Sequence, residues 1–281
     1  MNAIAVPANL QAVVAGALAE DVGAGDLTAN LVPAASRASA VIIAREPCVV
    51  CGIPFVDEAM RQVDARTHVG WLVNEGDLVA AQTKLCTITG LARSLLTTER
   101  VAINFLQTLS ATATVTRRHV DAVAGTRAKV VDTRKTIPGL RLAQKYAVRV
   151  GGGANHRIGL FDGILIKENH IMAAGGIAPA LAAARAQAND GTMLQIEVET
   201  LAQLEEALAA GATLILLDNF STELMAEAVR VTAGRAELEA SGGINLHTIR
   251  SYAQTGVDRI SIGTLTKDVK AIDLSMRFQA G

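Results

Sequence analysis

Aromatic side chains are scarce in this sequence: five Phe, two Tyr and one Trp make up 3% of 281 residues. That scarcity argues against a single-strand nucleic-acid platform built on stacked rings. Neither sign of charge is in excess, with 26 Lys and Arg against 27 Asp and Glu and a formal net charge of -1. A general polyanion binder is therefore not expected. Although 50% of the residues are hydrophobic, no apolar run approaches the roughly 18–20 residues of a membrane helix. The opening MNAIAVPANL has no basic stretch, so no signal peptide is expected. Cysteine is also scarce, at three, an odd number that gives no disulfide framework and fits a reducing cytoplasm. Cys48 and Cys51 form a C-x-x-C pair, with Cys86 and His68 as the nearby potential partners. The Val-Val spacer predicts a strand rather than the strand-to-helix turn of a redox motif. The thiols are expected to be buried and inert.

What remains is a chain that can bury a large core. Charged residues are only 19%, too few for extended disorder, and the length suits one large domain or two modest ones. No Pro, Ser or Gly-rich linker divides it, but the texture changes near residue 110. Before that point a helix is expected over Leu10 to Leu18, then the turn-rich EDVGAGDLT, then β-rich pieces at 38–44, 48–52 and 84–89. A long helix is expected from about Ser94 to Val123, with Leu95, Leu96, Val101, Ile103, Phe105, Leu106 and Leu109 on its apolar face. From Lys129 on, short β-rich runs appear at 129–133, 163–167, 194–199, 213–218, 237–243 and 259–263. Ala-rich helical runs separate the later ones, and glycines at 191, 211, 234 and 256 precede the next strand. This is the βα rhythm of a parallel sheet or barrel.

The strand ends carry the polar residues: Asp132 to Lys135, Lys167 to Asn169, Glu197 to Glu199, Asp218-Asn219, Ser241 to Gly243, and Gly263-Thr264. In a βα barrel, those ends form the active-site mouth. Gln195, Glu197 and Glu199 share one face of their strand by alternation, and Ile196 and Val198 share the other. Between Arg134 and Lys167 lie seven basic side chains (Arg134, Lys135, Arg141, Lys145, Arg149, Arg157, Lys167) and one acid, Asp162. Turn glycines and strand-like segments interrupt the run, so inward-facing guanidinium groups are expected rather than a helix surface. Such a field suits a small polyanionic substrate. Glu197 and Asp218 read either as structural ion-pair partners or as groups that chelate Mg²⁺ and bond ribose hydroxyls. ASGGI and SIGTL read either as ordinary turns or as phosphate loops after the last two barrel strands. His156 reads as a satisfied structural histidine or, beside Arg157, as a ligand contact. Lys135 or Lys167 also fits a Schiff-base lyase.

DTRKTIPGLRLAQKYAVRVGGGANHRIGLFDGILIKENHI resembles the signature stretch of the quinolinate phosphoribosyltransferase family. EDVGAGDLT, TERVAINFLQTLS, IEVET, LLDNF, EASGGI and ISIGTLTK…DLSMRF are similar to that family in the same order, so the resemblance covers nearly the whole chain. It implies an α/β fold: an N-terminal α/β sandwich domain over 1–110, joined by the closing segment 271–281, and an open TIM-like α/β barrel over 111–270. It further implies a cytoplasmic enzyme of NAD synthesis. Quinolinate and 5-phosphoribosyl 1-pyrophosphate would become nicotinate mononucleotide, pyrophosphate and CO₂, with Mg²⁺.

Residue by residue, the resemblance assigns Arg134, Lys135, His156, Arg157 and Lys167 to the quinolinate carboxylates and the pyrophosphate. Arg100 matches an arginine that completes the neighbouring subunit's site in a homodimer. Glu197 and Asp218 match the acids at the ribose and Mg²⁺, bound directly or through water. Thr133, Ser241, Gly242, Gly243, Ile262, Gly263, Thr264 and Lys267 fall to phosphoribosyl pyrophosphate, together with Lys167. The family often has Gly-Ala where this chain has Gly263-Thr264, and Lys267 stands where some members carry His. Two alternatives remain open beside the lyase: a relative acting on another base, such as nicotinate without decarboxylation or a molybdenum-associated homologue, and a non-catalytic sugar-phosphate-binding barrel.

Overall fold

The computed structural model describes residues 4–279. Helix α1 (Leu10–Val22) takes in the first three residues of EDVGAGDLT, and turns then lead to strands β1 (Arg37–Ala44) and β2 (Cys48–Val49), helix α2 (Ile53–Val63) and strands β3 (His68–Trp71), β4 (Leu78–Val79) and β5 (Lys84–Leu91). The long helix α3 (Ala92–Ala122), strand β6 (Lys129–Val131), helix α4 (Arg141–Val150) and strand β7 (Gly163–Ile166) follow. The rest alternates: α5 (Glu168–Ala174), α6 (Ile177–Gln187), β8 (Met193–Val198), α7 (Leu201–Ala209), β9 (Leu214–Asp218), α8 (Thr222–Thr232), β10 (Glu237–Ser241), α9 (Ile249–Gln254), β11 (Arg259–Ser261), the single turn α10 (Thr264–Lys267) and β12 (Leu274–Gln279).

The chain forms two compact units. One takes the residues up to Arg117, the insert Ile137–Gly152 and the stretch from Asp268 onward; the other takes Arg118–Thr136 and Gly153–Lys267. The first unit is built on an antiparallel sheet in the order β12-β1-β5-β3. β1 lies in the middle because its alternation buries Ala40, Ile42 and Ala44, with Ile42 opposite Met276 on one side and Cys86 on the other. Phe55 and Met60 of α2, Leu106 of α3 and Tyr146 of α4 close on the same core. The apolar face expected on α3 is buried at Leu95, Val101, Ile103, Phe105, Leu106 and Leu109, but Leu96 is exposed.

The C-x-x-C segment forms a strand only over Cys48–Val49. It ends there because Gly52, at φ 117°, turns the chain into α2. All three cysteines are free and buried. Burial pushes the Cys48 thiol up to about 11 and the Cys86 thiol up to about 12, and drives Cys51 well above its ordinary value. Thiols held that far from the thiolate are poor nucleophiles and metal ligands.

The second unit holds six parallel strands in the order β6-β11-β10-β9-β8-β7, with helices between successive strands from β7 on. This is an open α/β barrel: among the described residues no hydrogen-bonded ladder joins β7 to β6, and a single parallel bridge sets Ala154 beside Val131. The side chains of Thr200 and Ser221 cap α7 and α8 by accepting from the Gln203 and Leu224 N–H groups. Each cap restarts the chain as helix just past a polar strand end.

The expectation for the basic run needs correction. Arg141, Lys145 and Arg149 do not lie on turn or strand-like segments. They sit four residues apart on α4, in the first unit. Pro138 and Gly139 end the preceding loop, and the apolar residues Ala143, Tyr146, Ala147 and Val150 supply a buried helical face. The field of seven cations is thus split between the two units.

Candidate active site

Parallel pairing decides which side chains share the barrel interior. Gln195 is opposite Leu165, Glu197 is opposite Leu216, and Leu216 is opposite Glu239. Two residues further along, Asp218 is opposite Ser241. Paired residues in a parallel sheet project from the same face, and alternation repeats that face every second residue. One face therefore carries Leu165, Gln195, Glu197, Asp218, Glu239 and Ser241. The other carries Ile196, Val198, Ile215, Leu217 and Ala240, all fully buried.

Two adjoining cavities open at the C-terminal ends of these strands. The first, about 370 Å³, is lined by Arg134, Lys135, His156, Arg157 and Lys167, with Leu165 and Glu239 also in its wall. The second, about 470 Å³, is lined by Asp218, Asn219, Ser241 to Asn245, Gly263, Thr264 and Lys267. Thr133, Lys135, Ser241 and Ser261 belong to both walls. The structure thus brings together most of the residues singled out from the sequence.

The cations of the first cavity are short of anions. Among the described residues, neither Arg134, Lys135 nor Arg157 has a carboxylate within ion-pair distance, and the Nε of Arg134 is buried without a hydrogen-bond partner. Arg157 donates from its guanidinium to the Gly163 carbonyl at 3.0 Å. Burial, and then the like charge of Arg134, hold its pKa below the ordinary arginine value, against the opposing pull of Asp162. Asp162 also accepts from the N–H groups of Ile158 and Gly159 at 2.7 and 2.8 Å, tying the loop that follows Arg157. Lys167 caps the start of α5, where its N–H donates to His170 Nδ1, and its Nζ lies 3.1 Å from Glu197 Oε2. Crowded, unpaired cations in a partly buried cleft make a site for a small anion with more than one negative group.

His156 is nearly buried. Its main-chain N–H donates to Asp132 Oδ1 at 2.8 Å, and Asn155 donates to the other oxygen of that carboxylate at 2.7 Å. Its ring bonds to Gln195 through Nε2 at 2.8 Å and accepts the Arg157 N–H at Nδ1, also at 2.8 Å. Gln195 and Glu239 are fully buried partners that the residue types alone did not single out as site residues. The signal was present for both. Period-2 alternation back from Glu197 and from Ser241 reaches them.

In the second cavity, Asn219 adopts a left-handed φ of 57° at the end of β9. Its side-chain amide donates to Asp218 Oδ2 at 2.8 Å, and its N–H donates to the Ser241 carbonyl at 3.0 Å. Gly242, at φ 101°, leaves room for this arrangement, because a Cβ there would lie 2.2 Å from Asn219 Oδ1. A Cβ at Gly263 would lie 3.0 Å from the Lys135 side chain, so that glycine lets the lysine cross the loop. Backbone strain concentrated at a strand end beside a carboxylate is typical of a ligand clamp.

Three of the residues assigned from the sequence lie outside both cavity walls. Glu197 is held in its pair with Lys167, with its side chain 14% exposed. Ile262 is buried, and its N–H donates to the Val131 carbonyl at 2.9 Å. Arg100 is exposed on α3 of the first unit. That unit has its own cleft of about 220 Å³, lined by Val101, Phe105, Leu109 and Leu140 with Glu20 and Asp21. It has acids and no cation in its wall, so it does not suit an anionic ligand.

Comparison with known proteins bears on both units. Residues 26–110 match the N-terminal domain of quinolinate phosphoribosyl transferase, and residues 112–277 match its C-terminal domain. A nicotinate-nucleotide pyrophosphorylase (carboxylating) of Mycobacterium leprae is 43% identical over 270 residues, covering 92% of this chain and 94% of that protein. A probable nicotinate-nucleotide pyrophosphorylase (carboxylating) of Bacillus subtilis is 40% identical over 257 residues, covering 92% and 89%. Among solved structures, the nicotinate-nucleotide pyrophosphorylase of Francisella tularensis superposes with a TM-score of 0.95 at 46% identity, over 98% of each chain.

Proposed function

The chain belongs to the quinolinate phosphoribosyltransferase family, and from that footing we propose how its two cavities divide the work of a decarboxylating phosphoribosyl transfer. The enzyme is a pentosyltransferase of de novo NAD synthesis. It converts quinolinate and 5-phosphoribosyl 1-pyrophosphate to nicotinate mononucleotide, pyrophosphate and CO₂. Quinolinate occupies the first cavity, where Arg134, Lys135, Arg157 and Lys167 meet its two carboxylates. Phosphoribosyl pyrophosphate occupies the second, with the Ser241–Gly243 and Gly263–Thr264 loops and Lys267 on its phosphates. The observation that carries this reading is the shared wall: Lys135, Thr133 and Ser241 line both cavities, so the two ligands would meet there.

The chemistry follows from charge. The pyridine nitrogen attacks ribose C1 as the bond to pyrophosphate breaks, and the leaving group gains negative charge that Lys135 and Lys267 offset. Holding both reactants in adjoining cavities removes the entropic cost of their encounter. The new pyridinium draws electrons from the ring, so the C2 carboxylate leaves as CO₂ and its bonding pair stays on C2, which then takes a proton. The cations remaining on the 3-carboxylate keep the ring in place.

Mg²⁺ fits the acids of the second unit. Glu197 and Asp218 end neighbouring strands, and each gives one oxygen to a protein partner, leaving Glu197 Oε1 and Asp218 Oδ1 unengaged among the described residues. No group of three or more His, Cys, Asp or Glu suited to a metal occurs among the described residues. An ion held by one or two carboxylates plus substrate phosphates needs no such cluster. When bound, Mg²⁺ would neutralise charge on the pyrophosphate. Arg100 would complete the first cavity of the partner in a homodimer. No helix among the described residues is long and apolar enough to cross a membrane. The three free thiols fit a cytoplasmic setting.

The test is an assay of purified protein with quinolinate, 5-phosphoribosyl 1-pyrophosphate and Mg²⁺. Pyrophosphate and CO₂ are expected in equal amounts. Turnover of nicotinate in place of quinolinate would redirect the reading to a non-decarboxylating relative, and absence of pyrophosphate release with either base would end it.

A further inference from the structure

Glu239 is a fully buried carboxylate on β10, and its Oε1 has no hydrogen-bond partner. A buried polar oxygen left without a partner is costly to stability, so the place of Glu239 in the wall of the first cavity calls for a reason. Its other oxygen, Oε2, accepts from Gln195 Nε2 at 3.1 Å. Gln195 Oε1 in turn faces His156 Nε2 at 2.8 Å, and His156 Nδ1 faces the Arg157 N–H at 2.8 Å.

The direction of every bond in this chain is fixed by its two ends. Gln195 donates its NH₂ to Glu239 Oε2, so its amide oxygen is the atom that faces the imidazole. The main-chain N–H of Arg157 only donates, so Nδ1 must be bare. Both ends therefore demand the same neutral tautomer, with the proton on Nε2. Glu239 Oε1, 3.8 Å from that nitrogen, adds to the same preference. We propose that Glu239 and Gln195 are positioning residues of the quinolinate cavity: they lock the tautomer and ring orientation of His156 and, through its Nδ1, the main chain that aims the Arg157 guanidinium. The functional part of the proposal rests on the assignment of quinolinate to this cavity; the tautomer part does not.

The test exchanges the two polar groups. Histidine-labelled protein is examined by ¹⁵N NMR of the ring nitrogens, with the His156 signal identified by its loss in His156→Asn. Wild-type His156 is expected as the Nε2–H form, and an Nδ1–H form would overturn the proposal without any variant. Glu239→Gln removes the carboxylate that orients Gln195. It should shift His156 toward the other tautomer and raise the KM for quinolinate about ten- to a hundred-fold, the scale of one charge-assisted hydrogen bond, while the KM for phosphoribosyl pyrophosphate stays within about two-fold. The exchange Gln195→Glu with Glu239→Gln puts the carboxylate against the imidazole. It should restore the Nε2–H form and recover most of the lost affinity. Wild-type tautomer and KM in Glu239→Gln would overturn the proposal. So would a folded exchange variant with the single variant's KM. Should Glu239→Gln fail to fold, the exchange variant alone decides by its tautomer. If wild-type protein does not turn over quinolinate, the functional reading fails while the NMR result still judges the relay.

Discussion

Each unit holds a cluster of buried polar side chains, and the two clusters send their bonds to different places. In the first unit, Ser110 and Thr114 of α3 bond the main chain of Cys51 and Val49, and Glu75 accepts from the N–H groups of Gly52 and Ile53 at 2.8 and 3.0 Å. Each ends on a backbone group that strand β2 and the start of α2 leave unpaired, so each repairs a break in the fold. In the second unit, Gln195 bonds Glu239 and His156, and one Glu239 oxygen is left over. Those bonds run between side chains, at the wall of a cavity. Polar groups that repair backbone belong to stability. Polar groups that orient one another beside unpaired cations belong to a site.

The largest effect that would test this contrast is in the first unit's core. Phe55 is fully buried, with its ring centroid 5.2 Å from that of Phe105 and 6.5 Å from that of Tyr146. Phe55→Ala should cost about 3–5 kcal/mol of stability. The single tryptophan, Trp71, lies on β3 of that unit, so fluorescence during urea unfolding reads the loss directly. The KM for quinolinate in the folded variant should stay within about two-fold. A large KM change would mean that the first unit's core shapes the site, and the contrast would fail.

A smaller effect is expected in the opposite direction. Arg157→Ala and Lys135→Ala each remove one charge-assisted bond, worth roughly 1.5–3 kcal/mol or about 10–150-fold in quinolinate affinity. Their stability should hold or rise slightly, because each variant relieves a cation that has no carboxylate partner among the described residues. Calorimetric titration with quinolinate and a thermal melt on the same sample give both numbers. Unchanged affinity in folded Arg157→Ala would remove that residue from the site.

How much of this was legible in the sequence follows the same divide. The six parallel strands, the polar residues at their ends and the two glycine loops could be read because alternation and βα rhythm are local patterns. The strands of the first unit were harder. β3 and β4 are short, half-exposed and set by pairing partners distant in sequence, and α2 follows a strand of only two residues. Helix α4 was misread because charge drew attention away from spacing: Arg141, Lys145 and Arg149 at four-residue intervals mark one helical face. Asn219 stood out as a polar strand end, but its dependence on Gly242 could not be read, since that need exists only once β9 and β10 lie side by side.

Arg100 gives the finest test, because it asks whether the first unit supplies chemistry as well as scaffold. It is exposed on α3, while Lys135 lines both cavities of the second unit. If Arg100 completes the partner's cavity in a homodimer, Arg100→Ala and Lys135→Ala chains should each be nearly inactive alone. Mixed under conditions that allow subunit exchange, they form dimers in which one site carries both lesions and the other carries neither. Activity should then climb towards half the wild-type value per mixed dimer, a deficit of only about two-fold, as the intact site binds substrate with its full set of cations. Exchange is followed independently by differently tagged chains. If mixed dimers form and no activity returns, Arg100 acts within its own chain or not at all. The chemistry would then rest with the second unit alone, and the division between the units would be sharper than the family resemblance implies.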